Sequence, residues 1–226
     1  MSPQAPAKTG EVWQALFAKA MRMLDDLEQR AGTSVHWTFG GGTVLMLKYH
    51  HRLSKDIDIF FPDPQPLAYL NPRSGGLADG MTSEYQESAN HLKLIFAEGE
   101  IDFVASPSLT NPGFEMQAVE GRVIRRETPG EIIAKKMWHR GDAAKARDLF
   151  DLCVVIDHAP DDLRQARKFL IKHREPFLAQ LEDRRDILSI QFEQIDALDY
   201  CRTFNECVSI ASEFLIGLDL TIDRKN

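Results

Sequence analysis

Apolar residues recur at helical spacing between residues 11 and 30, at Val12, Leu16, Phe17, Met23, Leu24 and Leu27, and Gly32 stands just beyond them as a stop. That pattern predicts an amphipathic helix. The period then changes. Residues 35–39 are short, β-branched and aromatic, which predicts a strand; the turn Gly40-Gly41-Gly42 follows, and residues 43–50 have the composition of a short helix. Residues 56–61 alternate Asp, Ile, Asp, Ile and stop at Pro62, the pattern of a strand with one polar and one apolar face. The glycine-rich stretch 71–82 reads as a mobile loop. Residues 91–97 and 100–105 predict two strands joined by a hairpin turn at Glu98-Gly99, and 115–119 with 122–126 predict a weaker pair.

At Thr128 the pattern becomes helical. Thr128-Pro129-Gly130-Glu131 offers a capping-box Thr and Glu with proline at the first helical position. Helices are expected over 129–140, 143–158 and 161–173, with two or more reaching to about residue 218. Phe169, Phe177, Leu178, Leu181, Phe192, Phe204, Phe214 and Leu215 would form their core or a partner surface. The first ten residues, rich in Pro, Ala and Ser, read as a loose arm. The chain is therefore expected to join a mixed α/β front half to a helical back half.

Composition narrows the function. The 226 residues suffice for one large domain or two small ones, and 43% apolar with 27% charged residues is the balance of an ordinary globular protein. The net charge of −7 excludes a generally basic nucleic-acid binder but not a local basic surface. Three cysteines, Cys153, Cys201 and Cys207, give an odd number at no metal-ligand spacing, so they are expected in the core. No apolar run is long enough to span a membrane and residues 1–10 lack a signal-peptide core, so a soluble, reduced, cytoplasmic chain with no membrane partner is expected.

Candidate chemistry centres on Asp56-Ile57-Asp58. Side chains two apart on a strand share a face, and two carboxylates so placed repel unless a cation lies beside them. Such a pair is also common on a solvated rim. A third acid, Asp102 in Glu100-Ile101-Asp102-Phe103, falls on a later strand where it could face the same site. Carboxylates on adjacent strands suit Mg²⁺, which binds few protein groups and keeps positions for substrate phosphates. Gly41-Gly42-Thr43 before a helix lets backbone N–H groups approach an anion, although no Walker or Rossmann fingerprint is present.

Together these residues resemble a known family. Gly-Gly, then Asp-x-Asp, then an Asp on a following strand resembles the DNA polymerase beta-type nucleotidyltransferase fold. Three blocks, FGGGTVLMLKYHHRLSKDIDIFF at 39–61, EIDF at 100–103 and ETPGEIIAKKMWHRGDAAKARDLFDL at 127–152, are similar to the AbiEii/AbiGii toxin family of that superfamily. The resemblance implies an α+β chain: a nucleotidyltransferase-fold mixed sheet flanked by helices over 1–126, then a C-terminal helical bundle over 127–226 that contributes Lys136 and Asp148 to the site. It implies Mg²⁺ (Mn²⁺ as a substitute) on Asp56, Asp58 and Asp102, and an NTP held by Gly41, Gly42, Thr43, Lys136 and Arg147. Asp56, Asp58, Asp102, Lys136 and Asp148 would form the catalytic set. Asp151 would support the site or merely face its helix. One departure is that Gly42 stands where many superfamily members have serine, leaving open whether Thr43 supplies a hydroxyl.

Biologically, the resemblance implies the toxin of a bacterial toxin–antitoxin or abortive-infection system, paired with a separately encoded antitoxin. The acceptor of NMP would be tRNA ahead of protein. An antibiotic-modifying nucleotidyltransferase and a catalytically silent binding module of the same fold are the alternatives. Residues 121–147 carry eight bases against three acids, a local +5 that would suit a triphosphate or RNA. His50 and His51, adjacent on a predicted helix, are expected at the surface, with Arg52 or Lys55 near phosphate.

Overall fold

A computed structural model of the chain describes residues 12–218, so the arm expected at the N-terminus lies outside the described residues. The chain divides into two compact units. One takes the residues up to Val44, Leu53–Pro107 and Met116–Arg126; the other takes Leu45–Arg52, Ser108–Glu115 and the residues from Glu127 onward.

The first unit opens with α1 (Val12–Ala31), whose buried stripe includes Leu16, Phe17, Met23, Leu24 and Leu27. The sheet comprises β1 (Thr38–Gly40), β2 (Ile57–Phe61), β3 (Tyr85–Ser88), β4 (His91–Ile95), β5 (Glu100–Ala105), β6 (Phe114–Val119) and β7 (Arg122–Glu127). Their order is β3-β4-β5-β2-β1-β7-β6. It is mixed: β1 runs antiparallel to β2 and parallel to β7, whereas β2 and β5 run parallel. The period of two decides the faces. Ile57, Ile59, Phe61, Ile101 and Phe103 are fully buried, which leaves Asp58 and Asp102 on the opposite face.

Several elements depart from the pattern reading. The first strand starts later than 35–39, at Thr38. The segment 71–82 contains a 3₁₀ turn, Pro72–Ser74, where the Asn71 side chain accepts from the Arg73 N–H. The helix α3 (Gln65–Leu70) and strand β3 were not expected; β3 is polar and largely exposed, and is ordered by antiparallel pairing with β4 rather than by burial.

In the second unit, α4 (Pro129–Arg140) has the predicted bounds. Thr128 caps it by accepting from Glu131 N at 3.2 Å, but only half of the expected capping box forms. The Glu131 carboxylate instead accepts from Leu109 N and from Thr110 N and Oγ1, and Thr128 N donates to Gly113 O. The rest is α5 (Ala146–His158), α6 (Pro160–Gln165), α7 (Arg167–Asp183), α8 (Arg185–Glu193) and α9 (Phe204–Gly217). Helix α5 is the centre of this unit: Leu149, Phe150, Asp151, Leu152, Cys153, Val154 and Val155 are all buried. Phe150 meets Phe192 and Tyr200 edge-on, each at 5.3 Å. Phe177, Leu181, Phe192, Phe204 and Leu215 are buried, as are Cys153 and Cys207, while Cys201 is exposed.

Candidate functional site

In the first unit, α2 (Gly41–Tyr49) starts directly from β1, and its first residue meets the second strand. Gly40 is the register partner of Asp58 across β1 and β2, and Asp58 is the register partner of Asp102 across β2 and β5. Two of the three predicted acids therefore stand side by side on adjacent strands, which lie about 4.8 Å apart. Gly41 has φ +74°, and a Cβ there would fall 1.8 Å from Asp58 Oδ2. Only glycine fits both that conformation and that approach.

Asp56 precedes β2, and its Oδ1 accepts from Glu100 N at 3.2 Å. Asp102 is flanked from β4, where His91 Nε2 bonds its Oδ1 and Lys93 Nζ lies 3.5 Å from Oδ2. Lys93 sits directly opposite Asp102 in the antiparallel register. Burial would depress the Lys93 ammonium, but Glu100 and Asp102 raise it above its ordinary value. Thr43, fully buried, donates its hydroxyl proton to Asp56 O at 2.6 Å, and its Oγ1 lies 3.0 Å from Ser54 Oγ. That proton is spent within the chain, so the turn presents backbone N–H groups rather than a hydroxyl.

In the second unit, α4 and α5 build a buried ionic cluster. Lys136 Nζ lies 2.7 Å from Asp148 Oδ1 and 2.9 Å from Asp151 Oδ2. Arg140 forks onto both oxygens of Asp148, at 2.9 and 2.7 Å, and Lys145 N donates to Oδ2 at 3.1 Å. Burial opposes ionisation of Asp148, yet Lys136 and Arg140 hold its carboxyl well below the usual range. Lys135 faces elsewhere, bonded to Glu127 Oε1 at 2.6 Å and 3.4 Å from Glu131 Oε1. Of the two adjacent lysines, Lys136 is thus the one in the aspartate cluster. Arg147 is exposed.

Sequence reasoning missed His51 and Arg52. His51 was expected at the surface and Arg52 near phosphate, and both are buried. Arg52 forks onto Asp151 through Nε at 2.6 Å and Nη2 at 2.8 Å, while His51 Nε2 lies 2.8 Å from Asp151 Oδ1. Again burial opposes ionisation, and Arg52 and Lys136 hold Asp151 well below the carboxylate range. No local pattern could have found this, because the partners lie about a hundred residues apart in the chain. His50 is exposed and paired with Asp199 at 2.8 Å.

Among the described residues no group of three or more His, Cys, Asp or Glu side chains is arranged to hold a metal ion, and no helix is long and apolar enough to cross a membrane. No protein of curated function matches the chain in sequence. Two solved Helicobacter pylori structures share its fold, each with TM-score 0.50 and 16% identity. One is JHP933, matched over 90% of both chains; the other, described as a candidate nucleotidyltransferase, is matched over 90% of this chain and 93% of its own. The family described as nucleotidyl transferase AbiEii toxin, type IV toxin–antitoxin system, matches residues 22–215, and with that match over an α+β fold the chain belongs to the AbiEii nucleotidyltransferase toxin family.

Proposed function

We propose that the chain is the metal-dependent toxin of a type IV toxin–antitoxin pair, moving NMP from an NTP onto an acceptor hydroxyl, with tRNA the favoured acceptor. The observation that carries this is the register of Asp58 with Asp102, closed on one side by Gly41. Mg²⁺ needs only one or two protein carboxylates beside substrate phosphates. Asp58 and Asp102 fit that demand, and Asp56 keeps Oδ2 for it while Oδ1 is bonded to Glu100 N. When bound, such an ion neutralises phosphate charge and polarises the reacting phosphorus.

The chain's own residues do the rest. Backbone N–H groups at Gly41, Gly42 and Thr43 bind the triphosphate at the start of α2. Thr43 fixes that turn through Asp56 O. Lys136 carries positive charge to the phosphates, with Arg147 as an exposed second cation. The acceptor oxygen bonds to the α-phosphorus as the bond to pyrophosphate breaks, and the hydroxyl proton passes to a carboxylate. Asp148, kept ionised by Lys136 and Arg140, is a poor proton acceptor, which favours Asp102. A cognate antitoxin is the expected partner.

The test is transfer of label from each of the four α-labelled NTPs to total tRNA, with Mg²⁺ and with EDTA, for wild type and Asp58→Ala. Label that requires both metal and Asp58 supports the proposal. Label on protein or aminoglycoside alone would replace the acceptor, and no label on any of the three would point to a silent fold.

A further inference from the structure

We infer that Asp151 is a positioning residue whose task is to aim the Lys136 ammonium. The inference rests on the nucleotidyltransferase reading only for the ligand that Lys136 meets. An ammonium has three donors and rotates freely about its last bond. Here the ammonium donates to Asp148 Oδ1 at 2.7 Å and is paired by charge with Asp151 Oδ2, which lies 2.9 Å from the same nitrogen. Two carboxylates against one nitrogen limit where it can swing, and the donors not directed at Asp148 are the ones a phosphate oxygen would meet. Lys136 is 12% exposed, so only a small part of it is open to a ligand.

Asp151 can serve as an anchor because it cannot itself move. Its side chain is fully buried, and Arg52 spans both oxygens with a planar fork. His51 closes the remaining approach to Oδ1 at 2.8 Å. The Nδ1 atom of His51 is buried with no hydrogen-bond partner among the described residues, which suits a ring held as the Nε2–H tautomer that donates to Asp151. His51 and Arg52 stand two and three residues beyond the end of α2.

Stability alone does not account for the arrangement. Apolar side chains of similar volume commonly replace a buried ion pair at no loss. The cluster also keeps a surplus charge: Arg52, Lys136 and Arg140 against Asp148 and Asp151 leave +1, which favours an anion at the open donor of Lys136.

The experiment compares wild type, Asp151→Glu, Asp151→Asn, Lys136→Ala and Lys136→Ala/Asp151→Asn. Asp151→Glu keeps the charge and its pairing with Arg52 but lengthens the arm by one methylene, so it carries the test should Asp151→Asn fail to fold. Two quantities are read: the rate at which an amine reagent labels Lys136, by mass spectrometry, and the Kd for each NTP, by titration with Mg²⁺. Both Asp151 variants are expected to label Lys136 at least about fivefold faster and to bind NTP at least about tenfold more weakly. On the Lys136→Ala background, Asp151→Asn should cost no further affinity. Unchanged labelling of Lys136 overturns the inference, as does an affinity loss that persists without Lys136. A wild type that binds no NTP would sink the nucleotide reading, while faster labelling in the Asp151 variants would still uphold the aim of Lys136.

Discussion

Asp148 and Asp151, one turn apart on α5, share the Lys136 ammonium at 2.7 and 2.9 Å. Burial works against both carboxylates, and the cations around them win, so both carboxyls are held below their ordinary value of 3.8. A carboxyl whose folded value is depressed gives stability that is present above the unfolded value and lost as pH falls through the folded one. The urea midpoint should therefore hold down to about pH 4 and fall below it. Each group contributes a slope of about 1.4 kcal/mol per pH unit in that window. In Asp148→Asn the slope below pH 4 should be shallower by about that amount; an unchanged slope would separate the cluster from acid unfolding.

Gly41→Ala is expected to be harmful twice over. Alanine at φ +74° is strained by about 1–2 kcal/mol, and its Cβ would displace the Asp58 carboxylate. Urea unfolding should show that loss or more, and metal-dependent transfer should fall by at least about 100-fold, the scale of one preorganised contact to the reacting group. Full activity in Gly41→Ala would mean that Asp58 tolerates displacement and is not central.

Asp58→Asn tests the acid without changing its shape. Transfer should be lost while the melting temperature holds or rises, because the variant relieves repulsion from Asp102, its register partner. EDTA should abolish wild-type transfer, and added Mg²⁺ should restore wild type but not the variant.

The helices and strands that carry periodic burial were legible in the sequence, and the site's long-range half was not. Residues 129–140 and 100–105 have the bounds that pattern and capping predict. The spacing of Asp56 and Asp58 predicts a shared face, since a strand's period is fixed, and it puts Asp102 only on a later strand that could face the same site. What spacing cannot supply is register between strands, which sets Asp58 beside Asp102 and Lys93 opposite it. Strand β3 hides because its side chains are polar, and pairing with β4 orders it. His51 reads as a surface residue because its type favours water, and Arg52 as a neighbour of phosphate because its type favours anions; only the fold brings Asp151 to them.

Glu131 offers a separate check on the second unit. Its fully buried carboxylate takes two backbone N–H groups and a hydroxyl from Leu109 and Thr110, and lies 3.4 Å from Lys135. Glu131→Ala strands those donors, and the cost should be about 3–5 kcal/mol by chemical unfolding. A cost under about 1 kcal/mol would show that water replaces the carboxylate.

The clash that excludes a side chain at position 41 is worst against the carboxylate of Asp58, and the Asp58 Cβ, 2.8 Å away, keeps part of it for any residue but glycine at 58. In lineages that abandon catalysis, the steric veto on position 41 lifts fully only with glycine at 58, and the left-handed backbone at 41 still favours glycine or asparagine. The two positions should then drift together. A relative with a side chain at 41 and glycine at 58 is expected to be a bystander copy, so this pair offers a two-letter marker for telling active copies from retired ones before any assay is run.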